Sequence, residues 1–113
     1  DTTFVLGGYS QGASATAIAL DVPTNFGVAD TIPEELAPRV AAVVTLGDPL
    51  GLREETIEGQ SILYGDRAVT FCNMGDPVCD AGVNVLAHLA YPFNNTVPDA
   101  ATFAAAKVRA VTD

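Results

Sequence analysis

Tryptophan is missing from the 113 residues, histidine and methionine each occur once, and cysteine occurs twice. Basic residues are scarce as well. Five Lys and Arg face fourteen Asp and Glu, a formal net charge of −9. That shortage excludes nucleic acid as a partner, because phosphate recognition needs a basic face that so few cations cannot assemble. Anionic membrane surfaces are disfavoured on the same ground. A neutral or apolar ligand meets no such penalty. No apolar run approaches the roughly 20 residues of a membrane-spanning helix. The two cysteines and single histidine are too few for a four-ligand zinc centre. Apolar residues are not lacking: they make up 49% of the chain, enough for the core of one domain.

Cys72 and Cys79 are separated by a short loop. A disulfide across it is sterically reasonable and contributes roughly 2.5 kcal/mol by loop entropy. The alternative is a pair of buried thiols. The disulfide reading implies an exported protein.

The run "TTFVLGG" at residues 2–8 predicts a buried strand ended by two glycines, and the alanine-rich "QGASATAIAL" after it predicts a helix. Pro23, Asn25 and Gly27 break regularity. Thr31 with Glu34 resembles a capping box for a short helix that Pro38 must end or kink. "VAAVVTLG" at 40–47 predicts a second buried strand, residues 48–66 carry loop chemistry, and "RAVTFC" at 67–72 predicts a third strand. A short helix or turn is expected at 87–91. A terminal helix is expected over 97–111, with Pro98 and Asp99 near its start and Lys107 and Arg109 near its end. Near-continuous apolar strands alternating with helices mean an α/β fold with a mostly parallel sheet. Three strands make a thin sheet, and the chain enters the first almost at once. Both suggest a piece of a longer chain whose preceding part carries further strands.

Chemistry is concentrated in "GGYSQGAS". Gly8-Tyr9-Ser10-Gln11-Gly12 fits G-x-S-x-G, between a predicted strand and a predicted helix. A sharp strand-to-helix turn there would lift the Ser10 hydroxyl out of the sheet, with glycines on both sides giving room. The amide of Gln11 would open the helix and point where an oxyanion forms. A serine nucleophile needs a base, and His88 is the sole candidate, although a lone histidine is more often structural. Chain order favours it: such elbows run Ser, then Asp or Glu, then His, each after a strand at the carboxyl edge of the sheet. Asp48 and Asp76 both qualify as the acid. Asp76 is preferred, because it lies inside the Cys72–Cys79 loop and twelve residues before His88. Asp48, in "GDPL", reads better as a turn residue whose carboxylate caps nearby amides.

Taken together, "GGYSQGA", "FCNMGDPVC" and "AHLAY" resemble the cutinases and cutinase-like serine esterases, closer to the actinobacterial cutinase-like proteins than to the fungal enzymes. The likeness spans residues 2 to about 91. It implies a compact α/β-hydrolase, a three-layer sandwich, with residues 1–113 forming the C-terminal portion of a single domain. It implies Ser10, Asp76 and His88 as a catalytic triad and Cys72–Cys79 as a disulfide. Gln11 would supply one oxyanion-hole amide, the second donor lying outside this chain. No cofactor and no metal are implied. The expected activity is hydrolysis of carboxylic esters by a secreted, monomeric enzyme: short to medium acyl esters, cutin-like polyesters or lipids. Transient contact with a lipid or polymer surface would accompany it.

The apolar residues around His88 have two readings. Val83, Val85, Leu86, Leu89, Tyr91 and Phe93 are either core or a rim that meets an acyl chain. Leu86 and Leu89 are the choices for the rim, and Tyr9 joins them as a substrate contact. Met74 is expected to serve packing. The sequon Asn94-Asn95-Thr96 implies only a surface position. Two rival functions remain on the same residues. One is an acetyl-polysaccharide esterase or a phospholipase. The other is a non-catalytic domain that kept the fold for binding.

Overall fold

The computed structural model describes residues 2–112. Three strands, β1 (Phe4–Tyr9), β2 (Val40–Leu46) and β3 (Ala68–Phe71), form one sheet in the order β1-β2-β3. Both pairings are parallel, with Tyr9 beside Leu46 and Leu46 beside Phe71. The carboxyl ends of all three strands therefore lie along one edge. Helix α1 (Gln11–Ala19) comes directly after β1. Two short helices, α2 (Ile57–Gln60) and α3 (Val85–Leu89), flank β3 in the chain, and α4 (Thr96–Thr112) closes the chain against β2.

The core lies around the central strand. Val40, Ala41, Ala42 and Val43 of β2 are buried, and Ala17, Leu20, Leu50, Ile57 and Tyr64 close around Val40 and Val43. A parallel central strand is covered on both faces, which is why "VAAVV" is apolar without alternation. Polar ties hold the flanks. The Arg67 guanidinium donates to the carbonyls of Ala37, Val40 and Leu63, which fastens the start of β2 to the start of β3. Glu58 of α2 accepts both the amide and the hydroxyl of Thr70. The Thr70 hydroxyl is thereby used as a donor, so the Thr45 hydroxyl 3.1 Å away must donate to it. The carboxylate thus occupies a backbone donor of β3 that no strand pairs among the described residues.

Several expectations need correction. The expectation of a buried strand at residues 2–8 fails at Phe4 and Val5, which are exposed. Among the described residues β1 has a strand beside it on one side only, and an edge strand leaves apolar side chains uncovered. Thr31 and Glu34 form no capping box. Pro33 occupies the N-cap, no side chain caps the turn, and Glu34–Arg39 winds as a 3-10 helix that contains Pro38. The fixed φ of proline suits that tighter winding. The stretch at 48–66 holds more structure than loop chemistry suggests. A 3-10 turn runs over Pro49–Arg53, and α2 is capped by the Thr56 hydroxyl, which accepts from the Gly59 amide. Helix α3 starts two residues before the expected 87, because Asn84 caps it by accepting from the Leu86 amide.

Ile57 anchors α2 in the core with 1% of its surface exposed. Ile57→Ala in the natural full-length chain should cost about 2–5 kcal/mol through lost burial and a residual cavity. Urea unfolding checks this: the midpoint falls while the slope stays unchanged.

Candidate active site

Ser10 stands at the junction of β1 and α1 with φ 58° and ψ −118°. The left-handed φ turns the chain sharply, and the Ser10 amide is tied to the Leu46 carbonyl at 2.9 Å. A Cβ at Gly8 would lie 2.4 Å from the Gly12 carbonyl oxygen and 2.5 Å from the Thr16 hydroxyl, so this position admits only glycine. Gly12 differs. A Cβ there meets nothing within 4 Å among the described residues, so the second glycine of the motif is not demanded by these neighbours. Gln11 is the first residue of α1, where amides lack intrahelical partners.

The structure brings the serine, the histidine and one of the two aspartates into a hydrogen-bonded chain. His88 Nε2 lies 3.0 Å from Ser10 Oγ, and His88 Nδ1 lies 2.9 Å from Asp76 Oδ2. An ionised carboxylate only accepts, so Nδ1 carries the proton in the neutral ring and Nε2 is left to accept from the serine hydroxyl. Asp76 is completely buried. Its Oδ1 accepts from the Val78 amide at 2.8 Å, and its Oδ2 also accepts from the Tyr91 hydroxyl at 2.6 Å. Burial pushes the carboxyl up, but the hydrogen bonds from Tyr91, His88 and Val78 outweigh it and hold Asp76 below the ordinary carboxylate value.

The loop that presents Asp76 is braced at several points. Cys72 and Cys79 are joined in a disulfide. The Asp80 amide donates to the Asp76 carbonyl, Asp80 accepts from the Gly75 amide, and the Asn84 amide donates to the Gly75 carbonyl. Asn73 reaches across to the Ala87 carbonyl on α3, which links the aspartate's loop to the histidine's helix.

Two residues bear on His88 from the sheet. Tyr9 stacks on the imidazole, with centroids 4.9 Å apart and planes at 22°, and its hydroxyl donates to the His88 carbonyl. Tyr9, expected as a substrate contact, thus has its ring and hydroxyl engaged with His88. Gly47, which no sequence motif singles out, lies beneath the pair. A Cβ there would sit 3.0 Å from His88 Cε1 and 3.2 Å from Asp76 Oδ2, and its φ is +61°. The signal is present in "LGD", a glycine at the end of a buried strand. Asp48 beside it is not joined to His88. It caps the turn at 49–53 by accepting from the Leu50 amide at 3.0 Å. Its carboxylate is completely buried, Oδ2 has no hydrogen-bond partner among the described residues, and burial pushes its pKa up.

Around this constellation Val83, Val85, Leu86, Leu89 and Phe93 are exposed, Leu86 to 73%. Tyr91, grouped with them by sequence, is core instead, at 1% exposure. Met74 is 91% exposed and does not pack. Asn94 and Asn95 are exposed, as the sequon requires. No group of His, Cys, Asp and Glu among the described residues could hold a metal ion. No helix there is long and apolar enough to cross a membrane.

A serine on a strand-to-helix elbow, with an aspartate and a histidine at the same carboxyl edge of a parallel sheet, has the layout of the α/β-hydrolase class. Comparison with known proteins narrows the class. The family model for cutinases matches residues 1–108, and the chain belongs to the cutinase family. It is 48% identical over 111 residues to a cutinase of Kineococcus radiotolerans, covering 96% of this chain and 38% of that protein. It is 36% identical to the carboxylesterase Culp1 of Mycobacterium tuberculosis, covering 93% and 47%. It is 33% identical to the phospholipase Culp4 of the same organism, covering 95% and 47%. The chain thus spans about half the length or less of these curated relatives. Among solved structures an acetylxylan esterase shares the fold, with a TM-score of 0.77 at 24% identity, covering 94% of this chain and 60% of that one.

The two buried aspartates should respond oppositely to pH. Asp76 titrates below its unfolded value of about 3.9, so it adds stability that is fully present above that value and lost as pH falls through the folded value. Asp48 titrates above it, so it costs stability that sets in as pH rises past the unfolded value and is complete once pH has passed the folded one. Relative to the parent, Asp76→Asn should lose most at neutral pH and converge with it in strong acid. Asp48→Asn should improve relative to the parent as pH climbs above the unfolded value of about 4. Urea titrations at stepped pH check both. Curves that stay parallel to the parent's would contradict the assignment.

Proposed function

We propose that this chain carries the catalytic apparatus of a secreted serine esterase that hydrolyses carboxylic esters through an acyl-enzyme. The observation that carries the reading is the chain of hydrogen bonds from Ser10 through His88 to the buried Asp76, set on the elbow. His88 Nε2 takes the hydroxyl proton as Ser10 Oγ attacks the ester carbonyl carbon. The imidazolium so formed has its charge balanced by Asp76, which also fixes the ring's orientation. The tetrahedral oxyanion is held by the Gln11 amide, a donor of the kind worth roughly 3 kcal/mol in the transition state. His88 then returns the proton to the leaving alcohol. Water, activated by the same base, releases the acid and restores Ser10. No step needs a metal or an organic cofactor.

The surroundings of the serine point to the substrate class. The exposed apolar side chains flanking His88 suit an acyl chain, and Leu86 and Leu89 stand closest to it in sequence. The acidic balance of the chain favours a neutral ester over an anionic one. Short to medium acyl esters, polyesters of the cutin kind and lipids fit this description. The relatives named as cutinase, carboxylesterase and phospholipase span the same range. The disulfide suits export to an oxidising compartment.

Hydrolysis of p-nitrophenyl butyrate by the full-length natural chain should fall by roughly 10⁴–10⁶ in kcat on Ser10→Ala. Activity untouched by that substitution would sink the Ser10 assignment, and no activity in the parent would leave a binding domain as the better reading. Activity on butyrate and longer esters set against phospholipid vesicles separates the esterase from the phospholipase. Gly47→Ala should lower kcat by about 10–100-fold with little change in KM, because the new methyl group displaces the imidazole and the carboxylate without touching substrate. Steady-state kinetics of a variant that keeps the parent's melting temperature would test this.

A further inference from the structure

We propose that Tyr91 is a positioning residue, whose hydroxyl fixes the Asp76 carboxylate and thereby the base that the esterase reading above assigns to His88. Two hydrogen bonds and one sulfur contact define its place. The phenol oxygen lies 2.6 Å from Asp76 Oδ2. The Asn73 amide donates into that same oxygen at 3.0 Å. Because the amide can only donate, the oxygen accepts there and its own proton is turned to the carboxylate. Cys79 Sγ, half of the disulfide, lies 3.5 Å from the hydroxyl and closes the remaining side. The ring is buried and meets His88 edge-on, with centroids 6.4 Å apart.

The arrangement has a chemical consequence. Asp76 Oδ2 is shared between Tyr91 and His88 Nδ1, while Oδ1 is held by the Val78 amide. One oxygen therefore faces two donors from different elements. The Tyr91 proton keeps the carboxylate plane aimed at the imidazole, and it supports the ionised form in a site that water does not reach. The titratable groups facing Asp76 are His88 from α3 and Tyr91 just beyond it. Tyr9 at the end of β1 lies behind the imidazole, and Asp80 of the same loop is turned to the Gly75 amide. Burial and the bond to Asp76 both push the phenol's own pKa well up, so the hydroxyl remains a donor at every working pH.

The test uses Tyr91→Phe in the full-length natural chain, which keeps the ring and removes only the hydroxyl. The esterase kcat should fall by about tenfold, the scale of a small orientation error rather than loss of a triad member, with KM within about twofold. The titration of the Asp76 carboxyl, followed by ¹³C NMR, should move to higher pH. A role in packing alone would move neither, because the ring stays. A fluorinated tyrosine at position 91, a stronger donor in the same shape, should move the Asp76 titration the other way and covers the case in which Tyr91→Phe fails to fold. An Asp76 titration unmoved by either replacement, or an unchanged kcat in folded Tyr91→Phe, overturns the proposal. The carboxyl titration needs no turnover, so an inactive parent would remove the esterase reading and leave this result standing on its own.

Discussion

A carboxylate sealed from water must be met by donors or it takes up a proton, since desolvation of an unpaired charge far exceeds the stabilisation one ordinary contact provides. Asp76 is in that position, and much of the site is arranged around it. Its two oxygens need three donors, and these come from the loop's own backbone at Val78, from α3 at His88 and from the residue beyond α3 at Tyr91. Satisfying the carboxylate therefore requires the chain to leave β3, fold the Cys72–Cys79 loop over itself and return α3 to the sheet's edge. Once it does, Nε2 of the imidazole faces the Ser10 hydroxyl. The geometry that suits ester cleavage is the same geometry that lets a buried charge persist.

The sheet supplies the other half of the constraint. Parallel strands place three carboxyl ends side by side, and the segment leaving each strand is crowded. After β1 the left-handed turn at Ser10 brings α1 so close that Gly8 cannot carry a Cβ. After β2 the chain passes under the imidazole and the carboxylate, and Gly47 is the contact surface. After β3 the braced loop delivers Asp76. Cross-links between these segments, from Tyr9 to the His88 carbonyl and from Asn73 to Ala87, keep the three from moving independently. Preorganisation of this kind would leave little rearrangement for the proposed reaction.

Much of this is legible in the residues. The three strands, α1 and α4 arise from apolar runs and small-residue helices bounded by glycine, proline and aspartate, where local signals agree with the tertiary outcome. The elbow is legible because G-x-S-x-G sits between a strand and a helix. The preference for Asp76 over Asp48 rests on loop length and chain order, and the observed distances place Asp76, not Asp48, beside His88. Local reasoning fails where side chains act at a distance. Thr31 looks like a cap but lies before Pro33. Thr56 and Asn84, which do cap, do not stand out, because T-x-x-G and N-x-L are weak patterns without the turn in view. Met74 and Tyr91 are both apolar neighbours of the site in sequence, yet one is exposed and the other buried.

The sequence by itself determined the types of chemistry available. Within these residues one histidine leaves one candidate base, two cysteines leave one possible bridge, and the acidic balance leaves no basic face for phosphate polymers. Those are questions of inventory, and inventory is read without coordinates. Only the tertiary structure decided how the groups share space. That Tyr9 supports the imidazole, that a side chain at Gly47 would crowd His88 and Asp76, and that Tyr91 and His88 meet one oxygen of Asp76 are facts about residues 12 to 79 positions apart. Hydrogen bonds and steric exclusion act over a few ångströms, and no periodicity along the chain encodes which distant residues the sheet will bring within that range.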